Sequence, residues 1–225
     1  MKNLAIIPAR GGSKRIPRKN VKIFLGKPII AYSIEAALDS GLFDEVMVST
    51  DDEEIADVAI KYGAKVPVLR SKNTSDDFAT LADVMEEVVE YYKGEQKIYD
   101  SCCCILPTAP LLKFSTLKEG FDLLVSNNFD SVKPIVQFSY PIQRALKFNE
   151  GTVEMINPEL LRTRSQDLEA AYYDAGQFYW FRPQVGLSGT KKGAIVISEK
   201  FVQDIDTLED WELAELKYKF LFQEK

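Results

Sequence analysis

The sequence predicts an α/β fold with an open, mostly parallel sheet and helices on both faces. Short apolar strands alternate along the chain with helical patterns of about 10–15 residues, the order expected when helices join parallel strands. The chain has 225 residues, of which 46% are hydrophobic, so one domain spanning residues 1–225 can bury the core of such a sheet. A glycine-containing basic loop directly after the first strand places the expected ligand site at one edge of that sheet.

Apolar runs and helix-end residues define the first elements. Residues 4–7 form a short apolar strand. Pro28 and Gly41 bracket a helical pattern, because proline is favoured at the start of a helix and glycine just after its end. A strand at 45–50 and a helix at 51–63 follow, and the helix carries acidic residues in its first turn, where they favour the helix dipole.

The same alternation continues through the middle of the chain. The segment KVPVL, residues 65–69, is a third predicted strand, and apolar residues at helical spacing predict a long helix over 81–92. SCCCIL at 101–106 is typical of a buried central strand. A helix at about 115–126 and a strand at 131–137 complete this part.

The alternation of strand and helix patterns breaks down in the last third of the chain. Residues 138–173, here called the arm, contain prolines and mixed polar segments, which are compatible with a flap, a dimer arm or a substrate lid. Strand patterns return at 177–181 and 194–198. Thr207 then opens the final helix, with Asp210 three residues later completing a capping-box pattern.

The basic residues are concentrated in the first part of an acidic protein. The net charge is -6, yet residues 1–34 contain eight Lys or Arg and no Asp or Glu, leaving 20 basic and 34 acidic residues elsewhere. A nucleic-acid-binding protein is usually basic throughout or along a long face, so no nucleic-acid partner is expected. A cationic loop on an acidic body indicates a small polyanion, and phosphate is the first candidate.

Neither a membrane nor a disulfide is expected. No apolar run approaches the ~20 residues of a membrane span, and the start of the chain has no signal-peptide pattern. Cys102, Cys103 and Cys104 are consecutive and form no CxxC zinc motif, which favours packed thiols in a reducing cytoplasm.

The basic loop, residues 9–20, reads ARGGSKRIPRKN. It fits neither the dinucleotide pattern GxGxxG nor the Walker A pattern GxxxxGK[ST]. The cations of Arg10, Lys14 and Lys19 can hold a triphosphate, while the adjacent glycines let backbone N–H groups approach its oxygens. A solvated basic turn is the alternative.

A second candidate site is the acidic pair Asp204 and Asp206. In an extended segment, residues two apart place both carboxylates on one side, which suits Mg²⁺ bound together with phosphates and water. The alternative is that these acids only favour the dipole of the last helix. The sequence contains no histidine, which excludes Ser-His and Cys-His catalysis, whereas a metal ion can lower a hydroxyl pKa instead.

Several segments together resemble the sugar-acid cytidylyltransferases, which make CMP-sialic acid and its relatives. The matching segments, over almost the whole chain, are IPARGGSKRIPRKN, GKPIIAYSIEAAL, VSTDDEEIADVAIKYGA, LPTAPLL and DIDTLEDWELAE. Within the family, TAP, PIQRA and YYDAGQFYWF are most similar to the pseudaminic acid branch. Leu106 precedes PTAP where the sialic acid branch tends to have glutamine before PTSP, which argues for a differently decorated nonulosonic acid.

The resemblance implies a Rossmann-like, nucleotide-binding fold of the nucleotide-diphospho-sugar transferase type. It also implies that the anomeric hydroxyl of a nine-carbon sugar acid attacks the α-phosphate of CTP and expels pyrophosphate, with Mg²⁺ as cofactor. A homodimer is expected, with the arm as its dimerisation or substrate element. Sialic, legionaminic or 3-deoxy-octulosonic acid as the acceptor, and an inactive nucleotide-binding regulator, stay open as alternatives.

The residue assignments combine the motif analysis with this resemblance. The expected catalytic residues are Arg10, Lys14 and Asp206, and the metal ligands implied by the family are Asp204 and Asp206. An arginine fork suits the carboxylate of the sugar. The expected nucleotide-binding residues are Ala9, Arg10, Gly11, Gly12, Ser13, Lys14, Lys19, Asn20, Arg70 and Thr80, and the expected substrate-binding residues are Gln143, Arg144, Arg164 and Asp174.

Overall fold

A mixed β-sheet forms the centre of the computed structural model, which describes residues 1–76 and 78–223. The strands of the described residues are, in chain order, β1 (Asn3–Pro8), β2 (Ile23–Phe24), β3 (Lys27–Pro28), β4 (Glu45–Ser49), β5 (Ser101–Ile105), β6 (Ser131–Gln137), β7 (Leu146–Asn149), β8 (Thr152–Met155), β9 (Tyr172–Asp174), β10 (Phe178–Phe181) and β11 (Lys192–Val196).

The strand order confirms an open, mostly parallel sheet. Within the described residues it has seven strands, six of them in the order β11-β6-β10-β5-β1-β4, while β9 pairs with β6. Only β9 and β10 run antiparallel to their neighbours, and the other five strands share one direction. The predicted central strand is β5, which lies between β1 and β10.

Helices cover both faces of this sheet. The α-helices of the described residues are α1 (Ile29–Asp39), α2 (Glu53–Lys61), α3 (Leu81–Gly94), α4 (Phe114–Ser126) and α5 (Leu208–Tyr218). Alternate strand residues face opposite sides. One face packs Ile7 and Cys103 with apolar residues of α1, α2 and α4, and the other packs Ile6 and Cys104 with α3.

Side-chain caps fix the starts of three helices. Asp52 caps α2 by accepting a hydrogen bond from the Ile55 backbone N–H. Thr80 caps α3 in a capping box with Asp83, so it is a helix-start residue rather than an interior one. The predicted capping box of the last helix is confirmed, with Thr207 at the cap of α5.

The predicted strand at 65–69 is wrong. Only Lys65 pairs with the sheet edge: its backbone N–H donates to the Val46 carbonyl at 2.9 Å, and its carbonyl accepts from Val48 at 2.8 Å. Pro67 has no N–H to donate, so the ladder cannot continue through the next residues.

The arm carries a separate hairpin formed by β7 and β8. Three of its apolar side chains are mostly exposed: Leu146 at 57%, Phe148 at 75% and Val153 at 62%. Within residues 1–76 and 78–223, no helix has the length and apolar character needed to cross a membrane.

Candidate active site

The basic loop leaves the sheet at the carboxyl end of β1. Ala9 is buried, and its backbone N–H donates to the Ser49 carbonyl of β4 at 2.9 Å, which extends the parallel ladder by one bond. Beyond this point the loop borders a cavity of about 400 Å³. Its lining residues are Pro8, Arg10, Ser13, Lys14, Arg15, Lys19, Asn20, Leu106, Pro107 and Thr108. A cationic cavity therefore lies where the sequence predicts a ligand site.

Hydrogen bonds to backbone atoms hold the loop in shape. The buried Asn20 side chain donates to the Arg10 carbonyl at 3.0 Å and so ties the two ends of the loop together. Lys19 Nζ donates to the Ile205 carbonyl at 2.7 Å, and the Gly11 backbone N–H donates to Asp51 Oδ1 at 3.0 Å. Asn20 thus braces the loop.

Arg70 joins the end of β4 to the segment before α3. Its Nε donates to Ser49 Oγ at 3.0 Å and its Nη1 to the Thr74 carbonyl at 3.5 Å. Burial lowers the pKa of the Arg70 guanidinium, an effect that the Asp51 and Glu87 carboxylates oppose. Neither Arg70 nor Thr80 lines the cationic cavity, and Thr80 is exposed at the start of α3.

A second cavity, of about 550 Å³, shares Leu106 with the cationic one. Asp174 and Asp204 both line it, together with Tyr179. Asp174 accepts hydrogen bonds from Lys133 Nζ at 2.8 Å and from the Tyr179 hydroxyl at 3.2 Å. Burial raises the pKa of the Tyr179 hydroxyl well above its ordinary value, helped by the two carboxylates, so the hydroxyl stays protonated and able to donate.

Asp204 and Asp206 flank a buried residue in the segment that leads to α5. Ile205 is fully buried among Ile16 and Trp211, whereas Asp204 is exposed and Asp206 partly exposed. The burial alternates as expected for an extended segment, while the placement of both carboxylates on one side stays a prediction.

The start of α5 is capped by residues other than this pair. Thr207 and Asp210 form the capping box, and Asp210 Oδ2 also accepts from the Asp206 backbone N–H at 3.1 Å. No group of three His, Cys, Asp or Glu side chains within the described ranges could hold a metal ion. Two carboxylates nevertheless suit Mg²⁺, which commonly takes its remaining ligands from substrate phosphates and water.

Comparison with known proteins shows the family. A family model described as cytidylyltransferase matches residues 4–217. This chain belongs to the cytidylyltransferase family. It is therefore a nucleotidyltransferase, as the resemblance implied.

Relatives of this family cover nearly the full length of the chain. The chain is 48% identical over 225 residues to a pseudaminic acid cytidylyltransferase of Campylobacter jejuni, with 97% of each chain covered. It is 32% identical to a CMP-N,N'-diacetyllegionaminic acid synthase of Legionella pneumophila, over 96% of this chain and 95% of the relative.

A solved structure shares the fold at lower identity. It is a CMP:2-keto-3-deoxy-manno-octonic acid synthetase complexed with CTP, at a TM-score of 0.71 and 17% identity. The match covers 96% of this chain and 98% of the other, and at this identity it supports the fold alone.

Three expected substrate residues of this cytidylyltransferase lie in the arm and line neither cavity. Gln143 donates to the Glu169 carbonyl at 2.8 Å, and Arg144 to Ser165 Oγ at 3.2 Å. Arg164 pairs with Asp167 at 2.8 Å. Of the four expected substrate residues, Asp174 is the one that lines either of the two cavities described here.

Three further contacts at the site had no clear sequence signal. Arg15 forms a bidentate ion pair with Asp206, with both N–O distances 2.7 Å, and Lys19 lies 3.7 Å from the same carboxylate. Lys217 of α5 donates to the Val202 carbonyl at 2.7 Å and holds the segment leading to Asp204. The composition of the loop shows the charge of Arg15 but not its partner, because 191 residues separate the two.

Proposed function

We propose that this protein transfers CMP from CTP to the anomeric hydroxyl of pseudaminic acid and releases pyrophosphate. The observation that carries this proposal is the pair of cavities that meet at Leu106, one cationic and one lined by Asp174, Tyr179 and Asp204. The triphosphate occupies the first and the sugar acid the second, so the hydroxyl and the α-phosphate meet between them. The 48% identity to a pseudaminic acid cytidylyltransferase supports this choice of sugar.

The residues of the chain act mainly by positioning and by neutralising charge, which is how most phosphoryl-transfer catalysis operates. Arg10, Lys14 and Lys19 hold the triphosphate and balance the charge that develops on the leaving pyrophosphate. Asp204 and Asp206 would hold Mg²⁺, which supplies further neutralisation and lowers the pKa of the attacking hydroxyl. Arg15 pairs with both Asp206 oxygens, so an ion held by Asp206 would compete with the Arg15 guanidinium for that carboxylate.

We place this reaction in the cytoplasm. The thiols of Cys102, Cys103 and Cys104 are free and buried in β5. Burial raises the pKa of the Cys102 thiol to about 12, so it stays protonated and unreactive. Free thiols of this kind suit a reducing compartment.

The first prediction concerns the sugar. With CTP and Mg²⁺, pyrophosphate release should be fastest with pseudaminic acid in a panel that also contains N-acetylneuraminic, legionaminic and 3-deoxy-octulosonic acids. A higher kcat/KM for another acid would contradict the sugar assignment. No release with any acid would favour a nucleotide-binding regulator.

The second prediction concerns the basic loop. Lys14→Ala and Arg10→Ala should each lower activity by at least ~100-fold, comparable with the loss of one oriented transition-state donor. Thermal melting should change little because these are loop substitutions. Lys22→Ala is the matched control, since Lys22 is an exposed basic residue outside the cavity lining. Near-normal turnover in either loop variant would reject the role as a triphosphate clamp.

The third prediction concerns the metal. Asp206→Asn should abolish turnover while weaker CTP binding persists, because the basic loop still holds the triphosphate. Asp204→Glu should raise the Mg²⁺ concentration for half-maximal activity, since it alters one ligand of a hard cation.

Glu209→Gln is the control for that prediction, because Glu209 lies in the first turn of α5 and does not line either cavity described here. If Asp204 and Asp206 served only the helix dipole, all three variants would lose less than ~1 kcal/mol of stability and keep their rates. Ordinary activity with unchanged Mg²⁺ dependence in Asp206→Asn would therefore exclude the metal site.

The fourth prediction concerns assembly through the arm. We expect a two-fold homodimer, because the hairpin exposes the apolar side chains of Phe148 and Val153. Phe148→Glu should give a monomer in analytical ultracentrifugation at micromolar concentration, whereas Ile60→Glu, at an exposed apolar position on α2, should not. A monomeric, fully active wild-type protein would refute this assembly.

A further inference from the structure

The far end of the basic loop is held by an ion pair outside the cationic cavity. Arg18 Nη1 donates to Asp52 Oδ2 at 2.5 Å, and Nη2 donates to Oδ1 at 2.9 Å, which makes a two-point fork. Glu54 contacts the same guanidinium. Neither Arg18 nor Asp52 lines the cavity. The pair therefore has no direct contact with the cavity, and the loop that contains Arg18 connects the two.

Arg18 adopts a backbone conformation that an arginine rarely takes. Its φ of 55° and ψ of 30° place it in the left-handed region. Its carbonyl accepts hydrogen bonds from Val21 and Lys22, both at 3.0 Å, which wind the short helical turn Lys19–Val21. That turn carries Lys19 and Asn20. The conformation of Arg18 thus sets the direction of one cavity-lining cation and of the side chain that ties the loop together.

Asp52 lies against the start of the same loop. A Cβ atom on Gly11 would sit 2.6 Å from Asp52 Oδ2, so the absence of a side chain at Gly11 is what allows this approach. The neighbouring Asp51 accepts the Gly11 backbone N–H. The two acids that follow β4 therefore contact both ends of the loop.

The Asp52 carboxylate is itself fixed to the body of the fold. Oδ1 accepts the Ile55 backbone N–H at 3.0 Å and so caps α2. The Arg18 guanidinium holds the pKa of the Asp52 carboxyl below its ordinary value, opposed in part by burial. The carboxylate thus stays charged at neutral pH, and Arg18 is anchored to a packed helix rather than to a mobile side chain.

We infer that Arg18 and Asp52 are positioning residues, which hold the basic loop in its nucleotide-binding shape before CTP arrives. This inference rests on the proposed function and deepens it, because it concerns residues that touch neither nucleotide nor sugar. A loop already ordered in the free protein loses less conformational freedom on binding, so its cations bind the triphosphate more tightly.

Two substitutions remove the ion pair and keep the local backbone. Arg18→Gly accepts the left-handed conformation without steric cost. Asp52→Asn keeps the side-chain size and remains a good helix cap. Lys118→Ala is the matched control, since it removes an exposed ion pair with Asp122 on α4, remote from the loop.

The CTP dissociation constant, measured by calorimetry without sugar, should rise about tenfold in each single variant, because binding must then order the loop. The CTP dissociation constant of the double variant should be no higher than that of Arg18→Gly, because Arg18→Gly already removes the fork that Asp52→Asn weakens. KM for CTP should rise in parallel, while kcat at saturating CTP should change by less than about threefold. Lys118→Ala should have the CTP dissociation constant of the wild type. Arg18→Lys keeps the charge without the fork, so its CTP dissociation constant should lie between those of the wild type and Arg18→Gly.

Amide hydrogen exchange of residues 10–22 tests the same inference without any ligand. Exchange should be faster in Arg18→Gly and in Asp52→Asn than in the wild type and in Lys118→Ala. Unchanged exchange with unchanged CTP affinity would overturn the inference, as would effects that multiply in the double variant. If Arg18→Gly does not fold, Arg18→Lys and Asp52→Asn decide by the same criteria. A wild-type protein that binds no CTP would contradict the proposed function, while its loop exchange would still decide the role of the pair.

Discussion

Repulsion among the cations of the basic loop is the constraint that the rest of the site must satisfy. Five basic side chains lie within residues 9–20, and that segment contains no acid of its own. Two like charges 4 Å apart near a protein surface repel by about 4 kcal/mol, so such a loop needs counter-charges from elsewhere. Asp52 and Glu54 supply them for Arg18, and Asp206 supplies them for Arg15 and Lys19.

The strand order explains how those acids reach the loop. β4 lies next to β1, so the residues after both strands emerge side by side, and Asp51 and Asp52 meet Gly11 there. The segment that carries Asp206 follows β11, which lies at the opposite edge of the sheet from β4. After β11 the chain runs back across the sheet, where the Gln177 side chain donates to the Phe201 carbonyl at 2.6 Å. The packing of Ile205 beside the loop then brings Asp206 into range of Arg15.

Local signals in the sequence predict most of the elements but not the contacts between them. The apolar run at 131–137 matches β6, and the capping pattern at Thr207 gives the start of α5, because both depend on residues close in the chain. The direction of β10 is not predictable in this way, since a short apolar run looks the same in a parallel or an antiparallel strand. The ion pair of Arg18 with Asp52 spans 34 residues, so it follows from the strand order rather than from any local pattern.

The loop separates two tasks that its motif alone does not distinguish. Asn20, which also lines the cavity, and Arg18, which does not, make contacts that shape the backbone, whereas Arg10, Lys14 and Arg15 contribute cations to the cavity lining. Charges stabilise a transition state best when they need not move to meet it. The contacts that shape the backbone must therefore already be in place before the cavity-lining cations bind the nucleotide. The acids around the loop are therefore part of its design for binding an anion. Without them the same cations would repel one another, and the loop would have to be ordered by the nucleotide itself.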